Sequence, residues 1–301
     1  MKKVLITGSN GLVGKYLIDK YLSDTNMEII AMSSAENIHN IDNTNSFKFE
    51  QVDLRDKIKT KYLLDIHKPD IIINCAAITN VDVCESNKQW AWGVNVLVPE
   101  FLANYSSDNK IRFIHLSTDF VFDGLQGMYK EDDIPNPVSW YGTTKLEAEK
   151  RITDIYPYST IVRTVLVYGI PISTHRNNIL TWVVNELKEG KPINVVNDQF
   201  RTPTFVKDLV QALIKLAGIK YAGILHISGA EYMSVYDFAI KIASVFEFDK
   251  SLIKPTTSQM LNQPGKRPPK TGFIITKAVH ELDFNPTSIS ESLGYFRNLL
   301  Q

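Results

Sequence analysis

The sequence has only two cysteines, and it has no long hydrophobic run. Cys75 and Cys84 are too few for a disulfide framework and lack the spacing of a metal site, which fits a reducing compartment. We expect both thiols to pack in or near the core. No window approaches the roughly 18 consecutive apolar residues of a membrane span, and the apolar start is too short for a signal peptide. We therefore expect a soluble, cytoplasmic protein without a metal site.

The chain also lacks an excess of charge of either sign. Its 33 Lys and Arg residues balance its 33 Asp and Glu residues. Because no net field would attract a polyanion or an anionic surface, we expect neither nucleic acid nor a membrane as a partner. An anionic ligand must therefore be recognised by a local site.

Short apolar runs alternate with helical segments along the chain. The predicted strands cover residues 4–6, 28–32, 47–52, 71–74, 113–116, 160–167 and 224–227. The predicted helices cover residues 11–22, 141–155, 179–188, 206–216 and 235–246, and residues 263–269 form a loop. This alternation is typical of an α/β fold with a doubly wound parallel Rossmann sheet. We expect a dinucleotide-binding domain over residues 1–165, to which elements near 195–228 also belong. Residues 166–301 should form mainly a smaller α/β lobe that binds the substrate.

A glycine run separates the first predicted strand from the first predicted helix. Gly8, Gly11 and Gly14 form the pattern G-x-x-G-x-x-G, in which absent side chains permit a tight turn and close approach of a pyrophosphate. The helix N-terminus then supplies free N–H groups and the positive end of its dipole. The alternative to dinucleotide binding is a glycine turn that serves only to pack the strand against the helix. The position between strand and helix favours dinucleotide binding.

The second predicted strand ends without an acidic residue or an arginine. An acid about 20 positions beyond the glycine run selects NAD by binding the ribose hydroxyl. Here Ser33 and Ser34 could instead hydrogen-bond a 2′-phosphate, so we favour NADP (as NADPH), with NAD (as NADH) as the alternative. The serines could equally cap a turn. Asp53 could reach the adenine, and the small residues at 74–77 close a strand against the dinucleotide or serve packing.

A hydroxyl pair and a Tyr-x-x-x-Lys pattern predict the chemistry. Ser117 and Thr118 follow a predicted strand, while Tyr141 and Lys145 share one face of a predicted helix. A nearby ammonium group stabilises a phenolate, so we expect Lys145 to lower the pKa of Tyr141 toward working pH. Tyr141 would then protonate a carbonyl oxygen that Thr118 holds by a hydrogen bond, while hydride reaches the carbon. We expect His115 to be a core residue.

Several separate motifs resemble the dTDP-4-dehydrorhamnose reductase family of extended short-chain dehydrogenases, and the resemblance runs through most of the chain. The segment Ser-Thr-Asp-Phe-Val-Phe-Asp-Gly at residues 117–124 is the most specific of them. The other matching segments are residues 8–14, 74–82, 141–145, 177–178, 198–200, 203–204 and 267–268.

The resemblance implies reduction of the 4-keto group of a nucleotide-linked 6-deoxyhexose, such as dTDP-4-dehydrorhamnose, to an activated deoxysugar for polysaccharide. It implies Thr118, Tyr141 and Lys145 as catalytic residues and a homodimer as a possible assembly. The implied cofactor-binding residues are Gly8, Asn10, Gly11, Leu12, Gly14, Ser33, Asp53, Leu54, Cys75, Ala76, Ala77, Thr79, Asn95, Ser117, Tyr141 and Lys145. The implied substrate-binding residues are Asp119, Val121, Phe122, Asn177, Arg201 and Arg267.

Two positions depart from the family pattern. Leu166 stands where an aromatic residue is usual and so removes a stacking surface. Arg201 replaces a glycine and adds a guanidinium fork that could bind a diphosphate. The chain is also similar to the regulatory subunit of methionine adenosyltransferase. A non-catalytic, nucleotide-binding regulator therefore stands beside the reductase as one alternative. An epimerase or dehydratase that retains NAD is another, although dehydratases of this type carry paired acids where this chain has Thr118 and Asp119.

Overall fold

Seven parallel strands form the central sheet of the computed structural model, which describes residues 2–23, 27–41, 44, 46–171 and 178–300. The strands are β1 (Lys2–Thr7), β2 (Met27–Ser33), β3 (Phe47–Gln51), β4 (Ile71–Asn74), β5 (Arg112–Thr118), β6 (Thr160–Thr164), β7 (Val167–Tyr168), β8 (Ile193–Val196), β9 (Phe200–Arg201), β10 (Thr204–Phe205), β11 (Gly223–Ile227), β12 (Met233–Ser234), β13 (Ile253–Thr256) and β14 (Lys270–Thr271). The central sheet has the order β11-β6-β5-β4-β1-β2-β3. The predicted fold class is therefore confirmed.

Helices cover both faces of this sheet. The α-helices of the described chain are α1 (Leu12–Leu22), α2 (Lys57–His67), α3 (Val81–Ser86), α4 (Lys88–Trp92), α5 (Val98–Asn109), α6 (Trp140–Ile155), α7 (Ile179–Lys188), α8 (Val206–Gly218), α9 (Val235–Phe246), α10 (Ser258–Leu261), α11 (Thr276–Leu282) and α12 (Ile289–Leu300). Side-chain caps fix several starts. Asp56 accepts a hydrogen bond from Lys59 N at 3.0 Å before α2, and Ser139 accepts one from Gly142 N at 3.1 Å before α6. Within the described ranges, no helix combines the length and the apolar character needed to span a bilayer.

The alternation of side chains along the strands produces two hydrophobic cores. Val4 and Ile6 of β1 point to the face that α1, α7, α8, α9 and α12 cover. Leu5 between them, with Ile72 of β4 and Phe113 of β5, points to the face covered by α2, α5 and α6. Every one of these five side chains is fully buried, and a strand buried on both faces is typical of a parallel sheet.

The second half of the chain contributes to the same sheet and core. Strand β11 pairs with β6 in parallel register, and α8 packs on the face that α1 also covers. Smaller sheets, with the orders β12-β9-β14, β13-β8 and β10-β7, build the rest of this half. Segments on both sides of residue 165 are thus packed into one continuous core.

One predicted strand is interrupted. The β-branched run at 160–167 predicts a single strand, but β6 ends at Thr164 and β7 begins at Val167. Between them Leu166 has a φ of 37°, in the left-handed region that leucine rarely adopts. The break turns the chain away from the sheet, and Leu166 faces a cavity.

Candidate active site

A cavity of about 670 Å³ lies where the parallel strands β1 to β6 end. In doubly wound sheets this carboxyl edge is where ligands bind. The cavity brings together most of the residues that the sequence analysis singled out. Its walls include Gly8, Asn10, Gly11, Leu12, Gly14, Ser33, Asp53, Leu54, Cys75, Ala76, Ala77, Thr79, Ser117, Thr118, Asp119, Tyr141 and Lys145.

The glycine turn at the start of α1 has no room for side chains. Gly8 has a φ of 64°, and a Cβ there would lie 2.8 Å from the backbone of Ala76. A Cβ on Gly14 would lie 2.6 Å from Gly8 O. Gly11 precedes α1 and supplies no side-chain cap, so the first N–H groups of the helix face the cavity without one. Such a turn is suited to an anionic group.

The far end of the cavity carries a cation that the sequence analysis missed. Arg55 lines the wall shortly after the carboxyl end of β3, and it forms a bidentate pair with Asp53, with Nη2–Oδ2 at 2.5 Å and Nε–Oδ1 at 3.0 Å. Arg55 holds the pKa of Asp53 below its usual range, chiefly through this hydrogen bond. The sequence could have indicated Arg55, because it follows a predicted strand whose carboxyl end lies at the edge of the sheet where ligands bind.

Thr118 and Tyr141 meet at the opposite end of the cavity. Thr118 is the last residue of β5, Tyr141 lies in the first turn of α6, and both side chains line the cavity. Gly142 makes this approach possible, because a Cβ there would overlap Phe120 O. The Phe120 ring also packs edge-on against Tyr141, with ring centroids 5.7 Å apart.

Burial determines the protonation of Tyr141 and Lys145, and the expectation for Tyr141 was wrong. Desolvation raises the pKa of Tyr141, and the nearby Thr118 hydroxyl opposes this only in part. Desolvation also lowers the pKa of Lys145 to about 8. The sequence identified the pair by spacing but could not show that both groups are taken out of water. Tyr141 is therefore a neutral phenol at neutral pH.

Lys145 is held from two sides. Its Nζ donates to Leu116 O at 2.6 Å and lies 3.1 Å from His115 Nε2. His115 is fully buried, as expected of a core residue. Cys75 packs beside this group and Cys84 is fully buried; both are free thiols, as the sequence predicts, and burial raises the pKa of Cys75 to about 12.

Ser117 belongs to a buried charged network behind the cavity wall. Its hydroxyl donates to Glu149 of α6, which also pairs with Arg163 of β6 at 2.7 Å. Glu149 and Arg163 are 3% and 1% exposed, so each charge is neutralised by the other. Glu149 follows Lys145 by four residues, and that spacing was the signal by which it could have been found.

Other predicted residues lie outside the cavity wall. Asn95 is buried and bonds Ile78 N at 2.8 Å and Thr144 Oγ1 at 3.1 Å. Val121 and Phe122 are fully buried in a separate hydrophobic cluster. Asn177 lies outside the described residues.

Arg201 is buried behind Asp119. The sequence had instead predicted a guanidinium that is free to bind a diphosphate. Its guanidinium donates to Phe200 O at 2.7 Å, and its Nε lies 3.7 Å from Asp119 Oδ2. Asp119 lines the cavity and also accepts hydrogen bonds from Thr118 and Thr271. Desolvation raises the pKa of Asp119 although Arg201 opposes it. The donors of Arg201 are thus used within the protein.

Arg267 joins the loop at 263–269 to the helix α3. Both of its Nη atoms lie 2.7 Å from the carboxylate oxygens of Asp82, and Gly265 N donates to the same carboxylate at 2.9 Å. Val81, the neighbour of Asp82, lines the cavity. The structure therefore places Arg267 one layer behind the wall.

Comparison with known proteins identifies the family. The model of the RmlD substrate binding domain family matches residues 1–300. The chain belongs to this family. It is 32% identical to the probable low-salt glycan biosynthesis reductase Agl14 of Haloferax volcanii over 96% of this chain and 95% of that protein. It is 30% identical to a dTDP-4-dehydrorhamnose reductase of Aggregatibacter actinomycetemcomitans over 99% of each chain.

A third relative belongs to the other group that the sequence resembles. The methionine adenosyltransferase 2 subunit beta of Mus musculus is 30% identical over 98% of this chain and 88% of that protein. The resemblance to both groups is therefore confirmed.

Two solved structures share the fold over almost the whole chain. A dTDP-4-dehydrorhamnose reductase of Clostridium acetobutylicum superposes with a TM-score of 0.87 and 31% identity, covering 99% of both chains. The enzyme of that name from Bacillus anthracis, in complex with NADP, has a TM-score of 0.84 and 27% identity, covering 98% and 99%. The predictions of family and of an oxidoreductase are confirmed.

Proposed function

We propose that the chain reduces the 4-keto group of a nucleotide-linked 6-deoxyhexose with NADPH, and that dTDP-4-dehydrorhamnose, reduced to dTDP-rhamnose, is its substrate. The observation that carries this is the meeting of Thr118, Tyr141 and Lys145 in the cavity that also holds the glycine turn. Family membership supports it, because relatives across nearly the whole chain are named reductases.

The glycine turn fits a dinucleotide on its own geometry. Gly8 and Gly14 leave a cradle that a Cβ would fill. Among the described residues, Ser9 Oγ and Asn10 Oδ1 are buried polar atoms with no protein partner, and such atoms normally pair with a ligand or water. Gly8, Gly11 and the first turn of α1 would therefore hold the pyrophosphate.

The adenosine end of the cavity favours NADP. Ser33 and Ser34 supply hydroxyls at the end of β2, and Arg55 supplies a guanidinium after the end of the neighbouring strand β3. A planar guanidinium is well suited to a phosphate group. The relative from Bacillus anthracis in complex with NADP supports the same choice.

The residues at the other end can hold and protonate a carbonyl group. When bound there, a reduced nicotinamide supplies the hydride. Thr118 Oγ1 donates a hydrogen bond to the carbonyl oxygen, and Tyr141 Oη gives that oxygen a proton. Because burial raises the pKa of Tyr141, the phenol carries its proton at neutral pH. Lys145, four residues along the same helix face, then returns a proton to the phenolate that remains.

The test is turnover of dTDP-4-dehydrorhamnose by the purified protein, followed by the absorbance of NADPH and, separately, NADH. Tyr141→Phe should lower kcat by roughly 10²–10⁴-fold, the usual contribution of a positioned general acid, and should still bind NADPH. Tyr105→Phe is the matched control, since it removes a hydroxyl bonded to Asp65 on another face of the protein. An unreactive wild-type protein that binds NADPH would contradict the proposal.

A regulatory role is the second candidate, because the methionine adenosyltransferase 2 subunit beta of Mus musculus is 30% identical to this chain, the same identity as the Aggregatibacter actinomycetemcomitans reductase. In that case the protein would bind NADPH without turnover of any nucleotide-linked keto sugar. It would also change the rate of a methionine adenosyltransferase that is added to it.

We further infer a cytoplasmic location and a homodimer. The two free thiols, one of them fully buried, support a reducing compartment. The homodimer is an inference from family resemblance. Sedimentation equilibrium at several protein concentrations tests it, and a mass equal to one chain throughout would contradict it.

A further inference from the structure

A buried chain of hydrogen bonds crosses three neighbouring strands and ends at Lys145. Thr7 of β1 stands opposite Asn74 of β4, which stands opposite His115 of β5. The links measure 2.6 Å from Thr7 Oγ1 to Asn74 Oδ1, 2.9 Å from Asn74 Nδ2 to His115 Nδ1, and 3.1 Å from His115 Nε2 to Lys145 Nζ. Thr7, Asn74 and His115 are fully buried and Lys145 is 2% exposed.

The chain has a direction. Asn74 Oδ1 carries no hydrogen, so the Thr7 hydroxyl donates to it, and the Asn74 amide then donates to His115 Nδ1. A neutral imidazole with Nδ1 as acceptor carries its proton on Nε2. This proton points at Lys145 Nζ, which itself donates to Leu116 O. A neutral Lys145 amine can accept this hydrogen bond with its lone pair. A charged ammonium group has no lone pair, so the two N–H donors would face each other.

Reversing the chain leaves a group without a partner. An ammonium group at Lys145 could donate to His115 Nε2 only if Nδ1 carried the proton and the Asn74 amide were turned over. The Asn74 NH₂ group would then face Thr7 Oγ1, which already accepts a bond from Ala76 N. The Thr7 hydroxyl proton would lose its acceptor in a fully buried place, and unsatisfied buried donors are costly.

We propose that His115 is a positioning residue for Lys145: fixed by Thr7 and Asn74 with its proton on Nε2, it holds the amine in the cavity wall and disfavours its charged form. Lys145 thereby becomes a better proton donor toward the Tyr141 phenolate that each turnover leaves. That consequence rests on the proposed function, whereas the effect on the amine does not.

The surrounding charges agree with this assignment. Burial and the neighbouring Lys145 hold the pKa of His115 well below its usual range, so the imidazole is neutral. Burial lowers the pKa of Lys145 to about 8, although Glu149 on α6 and Cys75 after β4 act in the opposite direction. Arg163 of β6 is paired with Glu149. The charged form of Lys145 is thus disfavoured although an acid lies near.

The direct test is an NMR titration of the full-length protein labelled with ¹³C at the lysine ε-carbon. Lys145→Met identifies the resonance of Lys145. His115→Phe and Thr7→Val should each raise the titration midpoint of Lys145, for His115→Phe by roughly one pH unit, a tenfold change in proton affinity. His115→Gln, which keeps an acceptor and an N–H donor, should retain a low midpoint.

Thr60→Val is the matched control, because it also removes the hydroxyl of a fully buried threonine. The Thr60 hydroxyl, on α2, donates a hydrogen bond to Leu54 O and has no part in the chain from Thr7 to Lys145. In Thr60→Val, the titration midpoint of Lys145 should equal that in the wild type. Thr7 does not touch Lys145, so a shift in Thr7→Val alone supports the chain even where His115→Phe does not fold. Unchanged midpoints in folded Thr7→Val and His115→Phe would overturn the inference.

Activity provides a second, separable readout. The rate should fall as pH rises through the midpoint of Lys145, since the proton donor is lost, and this limb should move upward with the midpoint in His115→Phe. Shifted midpoints in a protein without reductase activity would refute the proposed function and leave the inference intact. A pH profile that stays fixed while the midpoint moves would refute the link to turnover.

Discussion

At the scale of single residues, burial decides which chemistry each group can perform. The spacing of Tyr141 and Lys145 identifies the pair, but the same spacing on an exposed helix would give ordinary pKa values. In the structure Tyr141 is 8% exposed and Lys145 is 2% exposed. Desolvation therefore moves the pKa of the phenol up and that of the amine down. The phenol is suited to protonate a carbonyl oxygen, which is the requirement of a reductase.

We expect the cofactor preference to depend on Arg55. Arg55→Gln should weaken NADPH binding roughly tenfold, because a hydrogen bond to a charged group contributes about 1.5 kcal/mol. It should leave NADH binding unchanged, since NADH has no 2′-phosphate. Fluorescence titration with both dinucleotides measures the two dissociation constants.

Asp53→Asn is the matched control for Arg55. It removes the carboxylate that pairs with the guanidinium and keeps an amide that can still meet the adenine. NADPH binding should become tighter, because a negative charge near the phosphate is gone. Equal weakening of NADPH and NADH by Arg55→Gln would show that Arg55 does not read the 2′-phosphate.

At the scale of helices and strands, apolar runs predict the elements well where local pattern decides them. Strand β4 and helices α7 and α9 have the predicted bounds. The break at Leu166 could not be read from the sequence, because β7, which follows it, pairs with β10 from later in the chain instead of continuing β6. The burial of Arg201 could not be predicted either, because its partners, Asp119 and Pro269, lie far from it in the sequence.

The loop at 263–269 is held against α3 by the pair of Arg267 and Asp82, and this pair should matter for stability. Arg267→Gln and Asp82→Asn should each lower the free energy of unfolding by about 1 kcal/mol, the upper range for a partly exposed ion pair. The double variant should lose little more than either single one, because both remove the same interaction. Urea unfolding of the four proteins measures this cycle.

Arg297→Gln serves as the control for this cycle, since Arg297 pairs with Glu247 at 2.9 Å and lies outside the cavity wall. The KM for the nucleotide sugar should rise in the Asp82 and Arg267 variants and stay constant in Arg297→Gln. Arg267 holds the pKa of Asp82 below its usual value, so the pair stabilises the fold above roughly pH 4 and is lost as pH falls through the lowered pKa. A rise in KM for Arg267→Gln alone would indicate direct substrate contact.

At the scale of the whole molecule, the sequence predicts the class of fold but not the path of the chain. The glycine run, the strand ends and the Tyr-x-x-x-Lys pattern are local, so they place most of the cavity wall correctly. The chain returns to the central sheet through α8 and β11, and this return depends on how their apolar faces pack against residues far away in the sequence. Leu209 and Leu213 of α8 and Leu225 of β11 share one core with Val4 and Ile6 of β1.

Because the two halves share this core, the full chain should unfold in a single cooperative transition. Differential scanning calorimetry should show one peak, and NADP should move the whole peak upward, since a ligand that binds only the folded state stabilises everything that unfolds with its site. A fragment of residues 1–165 should show no cooperative transition, because it lacks α8 and β11 and exposes the faces they cover. Two peaks, of which NADP moves only one, would instead mean that the predicted domains are energetically independent. In that case the stability of the cofactor site would not depend on the second half of the chain.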